Sequence, residues 1–434
     1  MDNRELLQRS LQSVWHPCTQ MKAHETLPLI PIRRGEGVWL EDFDGNRYLD
    51  AISSWWVNLF GHNNPRIKNA IKNQLDQLEH VILAGFTHEP VVELSERLSA
   101  LSGLGHCFFA SDGASATEIA LKMSFHYWRN QGRENKNQFI SLQNGYHGET
   151  IGALSVTDVA LFKDTYATLL RTSVQMPSPD WRLAEPGESS ESYAQRCAQM
   201  LEDYVAAHHE DIAALIIEPL VQCAAGMAMH HPVYLTRARQ ICSQYEVHLI
   251  ADEIAVGFAR TGTLFACEQG RVTPDFMCLS KGISGGYLPL SVTLTSDAIY
   301  QAFYDDRVTR GFLHSHSYTG NALACSAALA TLDIFAEEQV LEKNRIKAAY
   351  LNEGLQAFSE LPIRHLRQTG MIWAFDVETS APDFPRDFYR NALEQGLLLR
   401  PIGNTVYFMP PYVITEAEID QLLGKTRQLL EVYA

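Results

Sequence analysis

The chain has 434 residues, 46% hydrophobic and 20% charged, ordinary usage for a globular fold with ample material for a large core. A formal net charge of −16 argues against nucleic acid or an anionic membrane surface as the principal partner, since either needs a basic face and no basic block stands out. Eight cysteines are scattered with no CxxC pair, several within apolar runs, and read as buried reduced thiols rather than a disulfide framework or a zinc site. The opening MDNRELLQRSLQSVWHP carries acidic and polar residues where a secretory leader is basic and then apolar. No apolar run approaches the length of a membrane span, so the expectation is a cytoplasmic protein.

In chain order, residues 35–50 (GEGVWLEDFDGNRYLD) carry Asp44-Gly45, a hairpin turn signal, between two short strand-like runs. Nearly continuous apolar runs follow at 107–110, 139–142, 213–217, 247–251 and 276–279, as suits parallel strands covered on both faces. Helical stretches lie between them; in 116–128, Ile119, Ala120, Met123 and Tyr127 share one face. Residues 177–192 are polar and rich in Pro, Ser and Glu, which predicts a surface excursion. An alanine-rich helix near 323–336 opens the last part of the chain, which then returns to a mixed pattern. The alternation predicts α/β architecture with a mainly parallel sheet covered by helices. We expect a large central domain over 61–330 and a smaller α+β domain built from 1–60 and 331–434.

In open parallel sheets ligands sit beyond the carboxyl ends of the strands, where Asp252, Glu218, Lys281 and the loop after Ala110 all fall. Lys281 stands just past the run Phe276-Met277-Cys278-Leu279, and VHLIADEIAVGF delivers Asp252 in the same way. A lone SKG is better read as a solvated lysine in a glycine-rich loop, and Asp252-Glu253 alone as a helix cap. Together they match pyridoxal phosphate chemistry: a lysine amine holds the cofactor aldehyde as a Schiff base, while a carboxylate keeps the pyridine nitrogen protonated. The loop 110–115 (ASDGAS) runs from a strand into a helix start, which is either a phosphate site or an ordinary cap. NGYHG follows another strand, and its Tyr146 is able to stack on a pyridine ring as an aromatic lid, the alternative being a buried tyrosine beside a glycine turn.

On these residues the chain resembles the class III, fold type I pyridoxal phosphate aminotransferases over nearly its whole length. The motifs are Ile217-Glu218-Pro219, LIADEIAVGFARTG at 249–262 and LSKGISGG at 279–286. A narrower likeness, to the branch of that family acting in biotin synthesis, rests on Trp15-His16-Pro17, Ser53-Ser54-Trp55-Trp56, LAGFTH at 83–88, NGYHGE at 144–149 and Arg400-Pro401 with YFMPPY at 407–412. The resemblance implies that Lys281 binds the cofactor and shuttles the proton, and that Asp252 holds the pyridine N–H. Gly113 and Ala114 would offer backbone N–H groups to the phosphate, Tyr146 would cover the ring, and Ser317 would reach the phosphate from the partner subunit of a homodimer. Trp55 and Tyr146 would flank the amine, Arg400 would take a carboxylate, and Tyr407 would line the pocket or pack in the core. The implied substrates are S-adenosylmethionine as donor and 8-amino-7-oxononanoate as acceptor, with Glu149 suited to the donor's charge.

Four positions depart from the family pattern: Cys18 replaces a substrate-contacting tyrosine of some members, Ala114 a hydroxyl residue at the phosphate, Ala259 a glycine and Ala322 a proline. Ser115 is the candidate substitute for the lost hydroxyl. The wider pocket at Cys18 leaves lysine open as the donor, and an ω-amino acid transaminase is the rival within the fold. Outside that class stand a noncatalytic scaffold, which has no need of both Lys281 and Asp252, and a nicotinamide dehydrogenase, for which residues 110–118 lack GxGxxG.

Overall fold

The computed structural model describes residues 2–27 and 29–433. They divide into two compact units, Arg66–Glu342 and the pair Met1–Pro65 with Lys343–Ala434. Helix Ala322–Glu337, which the sequence reading laid across its boundary at 330, belongs to the larger unit. It is apolar on most of its circumference and packs on helix Glu89–Ser102 and on the short turn Lys281–Ser284.

The larger unit is built on one sheet whose strands are β1 (His106–Ala110), β2 (Gln138–Leu142), β3 (Val174–Met176), β4 (Ile212–Ile217), β5 (His248–Asp252), β6 (Phe276–Leu279) and β7 (Ser291–Thr295). Their order is β3-β2-β4-β5-β6-β7-β1. The run from β3 to β6 is parallel, while β7 lies antiparallel to both neighbours. Every residue of β4, β5, β6 and β7 is buried, which explains their largely apolar or hydroxyl-bearing composition; the two ends of β5 are the exceptions, His248 being hydrogen-bonded to Ser124 and Asp252 to His147. Helix Gly113–Asn130 covers one face, burying Ile119, Ala120 and Met123 against Ile216, Ile250 and Phe276 in one core. Thr293 in β7 donates its hydroxyl to the Ala116 carbonyl at 2.9 Å, so a polar side chain inside the sheet is satisfied by the helix above it.

The smaller unit joins both ends of the chain. Strands Ile32–Glu36, Trp39–Asp42 and Arg47–Asp50 form an antiparallel sheet whose last strand pairs in parallel with Leu397–Leu398. The turn at Asp44-Gly45 is held by Asp42, whose carboxylate accepts from the backbone N–H groups of Asp44 and Asn46 at 3.0 and 2.8 Å. A second antiparallel sheet is formed by Ile363–Thr369, Ile372–Val377 and Thr405–Phe408.

Two expectations change. The segment read as a surface excursion is exposed only in its second half; Ser178, Pro179 and Asp180 are buried, with Ser178 donating to Gln222 and Asp180 paired to Arg182 at 2.8 Å. In the first half the polar residues are paired internally; in the second they face solvent. Of the cysteines, all are free, but Cys18 is exposed and Cys107 only partly buried. Among the described residues, no helix is long and apolar enough to cross a membrane.

Candidate active site

Asp252 is the last residue of β5 and Lys281 stands two residues beyond β6, its neighbour in the sheet. The loop after β2 brings His147 across to Asp252, with Nδ1 2.7 Å from Oδ2 and both side chains buried. The other carboxylate oxygen of Asp252 accepts from the Ile254 N–H at 3.1 Å. His147 stands beside Tyr146 in the NGYHG motif, and nothing local in that motif points to a partner 105 residues away.

Glu218, just past β4, accepts from the Tyr146 N–H at 3.0 Å and the Cys223 N–H at 3.1 Å. Burial pushes its carboxyl up to about 7, with Asp252 adding repulsion against the pull of His147. Burial lowers the Lys281 amine below its ordinary value, opposed by Asp252, Cys223 and Glu218. A larger share of the amine is therefore neutral and nucleophilic at a given pH. Lys281 sits at φ 45°, in the left-handed region that non-glycine residues rarely adopt, and such strain clusters at functional positions.

After β1 the chain enters helix Gly113–Asn130 through an Asp112 cap. Asp112 accepts both the Ser115 N–H at 2.9 Å and the Ser115 hydroxyl at 3.0 Å. The Ser115 hydroxyl is thus already engaged by Asp112. Gly113 and Ala114, first in the helix, have N–H groups without an intrahelical acceptor, the arrangement that binds anions. Close approach shapes the loop: a Cβ on Gly113 would lie 3.0 Å from the Ile254 side chain, and one on Gly148, at φ 120°, would lie 2.5 Å from the Ala114 methyl. Tyr146 packs edge-on against Phe162 at 5.5 Å and donates its hydroxyl to Glu149 at 2.9 Å, so Glu149 is engaged at this position. Ser317 is exposed.

In the smaller unit, Ser53, Ser54, Trp55 and Trp56 all have positive φ, between 46° and 73°, and form one left-handed helical turn. Left-handed α conformation costs L-residues roughly 1–2 kcal/mol each, so this turn needs external ties. Asp50 provides them, accepting from the Ser54 N–H at 2.9 Å, the Ser54 hydroxyl at 2.7 Å and His62 Nε2 at 3.0 Å, while Ser53 donates to the Met409 carbonyl at 2.7 Å. The turn leaves Trp55 42% exposed with the Arg400 guanidinium 4.8 Å over its ring. Arg400 also donates to the Cys18 carbonyl at 3.3 Å. Tyr407 is core: it is buried, stacked edge-on with Trp56 and accepts the Trp56 indole N–H at 3.1 Å.

The family model of aminotransferase class-III matches residues 20–430. The chain belongs to the class III aminotransferases. It is 47% identical to adenosylmethionine-8-amino-7-oxononanoate aminotransferase of Helicobacter pylori, over 97% of this chain and 96% of that one. The crystal structure of the enzyme of the same name from Methanocaldococcus jannaschii superposes with a TM-score of 0.93 at 35% identity, covering 99% of both chains. An omega transaminase from Pseudomonas jessenii, solved in complex with PMP, has the same TM-score at 29% identity and covers 98% of both chains. As a member of this family the chain is a fold type I, pyridoxal phosphate-dependent transaminase. Its own residues fit the cofactor: a lysine with a lowered pKa and an oriented buried carboxylate end adjacent strands, and the same sheet leads into a helix start with open N–H groups.

Proposed function

We propose that this class III aminotransferase moves the α-amino group of S-adenosylmethionine to 8-amino-7-oxononanoate, giving 7,8-diaminononanoate in biotin synthesis. The observation that carries the reading is near-full-length identity of 47% to an enzyme of that name, joined to a Trp55–Arg400 pair able to receive a carboxylate-tailed acceptor.

Pyridoxal phosphate, when bound, supplies an aldehyde that takes up an amino group and a ring that accepts the electron pair left by a departing proton. Lys281 is the residue that would hold the cofactor, and its amine would carry the proton away from the donor α-carbon. Asp252, fixed by His147, would pair with the cationic pyridine nitrogen, and the desolvation around it would strengthen that pair. Gly113 and Ala114 would hold the phosphate by backbone N–H groups, Ser317 of a homodimer partner would add to them, and Tyr146 would cover the ring. Arg400 takes the acceptor carboxylate in paired hydrogen bonds, beside Trp55. The cationic donor and the carboxylate-tailed acceptor occupy the site in turn, so the kinetics are ping-pong.

The test is a half-reaction on protein loaded with pyridoxal phosphate. S-adenosylmethionine should abolish the absorbance of the lysine-bound cofactor and 8-amino-7-oxononanoate should restore it. Response to lysine alone would change the donor and keep the step. Response only to ω-amines would overturn the biotin assignment.

A further inference from the structure

Residues 312–319 form a loop in the larger unit that carries Ser317, and it is held to the elements that build the phosphate cradle. Phe312 meets Phe108 of β1 edge-on at 5.4 Å, and the His314 ring stacks on Phe312 at 5.7 Å. Lys122, in the helix that begins at Gly113, donates to His314 Nδ1 at 2.8 Å. His314 Nε2 in turn lies 3.0 Å from His316 Nε2. Past His316 the backbone closes a tight turn: the Thr319 N–H and hydroxyl both donate to the His316 carbonyl, at 3.1 and 2.7 Å, and the His316 N–H donates to the Thr319 hydroxyl at 3.1 Å. Ser317 is the first corner of that turn and is exposed.

This chain of side chains has a direction. An ammonium only donates, so His314 Nδ1 is an acceptor and the ring proton sits on Nε2; His316 then accepts at Nε2 and keeps its own proton on Nδ1. A further proton on His314 would face the Lys122 ammonium, and one on His316 Nε2 would face the His314 N–H. The chain is therefore intact only with both rings neutral. Burial holds the His314 pKa below its ordinary 6.5, with Lys122 and His316 adding to the effect and Glu118 opposing it. Glu118 is itself engaged by the Thr150 hydroxyl at 2.6 Å and the Gly152 N–H at 2.7 Å, and β1 faces His314 with the uncharged Phe108.

We infer that Lys122, His314 and His316 are positioning residues for Ser317, a proton-sensitive strut that presents its hydroxyl to the cofactor phosphate in the partner subunit's site. This role rests on reading Ser317 as a donor to that phosphate across a homodimer. The three side chains act through Ser317 and not on the reacting atoms. With the strut opened, the loop takes up protons that the intact chain refuses, so the contribution is full above about pH 6.5 and is lost as pH falls through that value.

Release of pyridoxal phosphate from the diluted holoenzyme, read from the fluorescence of the filtered free cofactor, tests the strut. At pH 8, Ser317→Ala should release about tenfold faster than wild type and Lys122→Met about fivefold faster. Lys122→Arg, which keeps a cationic donor, should stay near wild type. Lys122 is exposed, so its replacement leaves the core untouched. In a Ser317→Ala background Lys122→Met should add nothing, since the two act in one line. At pH 5.5 the gap between wild type and Lys122→Met should close, protonation of the phosphate being common to both. Lys122→Met that speeds release equally with and without Ser317, or a gap unchanged by pH, would assign the chain to general loop stability and overturn the strut. A full effect of Ser317→Ala with none from Lys122→Met would also overturn it, leaving the phosphate role of Ser317 standing. Ser317→Ala without effect would overturn that role, and the positioning with it.

Discussion

The two groups of candidate site residues are anchored by opposite means. In the larger unit, Asp252, Glu218, Lys281 and the Asp112 loop follow the ends of strands in one sheet, so ordinary strand pairing sets their places and the cost falls on desolvating charges. In the smaller unit, Trp55 is presented by four non-glycine residues in left-handed conformation, so the cost falls on the backbone and is offset by Asp50. Replacing a charged group in the first region should change chemistry or pH response more than shape. Removing a tie in the second should change shape first.

Lys281→Ala should give the largest effect: amino transfer falls about 10⁴-fold, with no cofactor mass retained after borohydride reduction, while thermal stability stays at or above wild type because a buried amine is gone. A marked loss of stability would break the contrast drawn above. Asp50→Ala should do the reverse, removing the acceptor of three donors and releasing the turn at a cost of about 3 kcal/mol. Chemical denaturation measures that cost, and the catalytic loss should fall mainly on KM for the acceptor. An unaltered stability would show that the turn holds itself.

The third expectation concerns pH. Glu218 and Glu253 are both pushed up to about 7 by burial, from an ordinary 4.5. Between those values the folded chain keeps protons that the unfolded chain has released, so each group makes stability fall as pH rises through the window. Glu218→Gln should remove its share, up to about 3 kcal/mol across that range. Urea midpoints at pH 5 and pH 7.5 compare the two proteins, and an equal fall in both would discard the idea. The smallest effect belongs to Ala114→Ser, which restores one hydroxyl at the helix start and should tighten pyridoxal phosphate by about tenfold, read by titrating the cofactor into apoenzyme.

How far the sequence told this in advance follows from range. Strands β2, β4, β5 and β6 were legible as apolar runs, and with them the positions of Asp252, Glu218 and Lys281. β7 was not, because Ser291, Thr293 and Thr295 alternate as a half-exposed strand would, although all are buried; the hydroxyls of Thr293 and Thr295 are satisfied by carbonyls of Ala116 and Asp275, which no local pattern announces. β3, three residues long, gave no period to read. The left-handed turn at 53–56 holds no glycine to mark it. The contact of Arg400 with Cys18 joins residues 382 apart, and only the fold brings them together.

The reversed strand β7 has a further consequence. It separates β1 from β6, with Ser291 opposite Ala110 and Val292 opposite Leu279, so the loop into Gly113 and the lysine turn stand two strand spacings apart, about 10 Å. That interval is counted in whole strands. A lineage that needed a longer or shorter reach between anion cradle and amine on this sheet would have to gain or lose a strand, since lengthening a loop leaves the count unchanged.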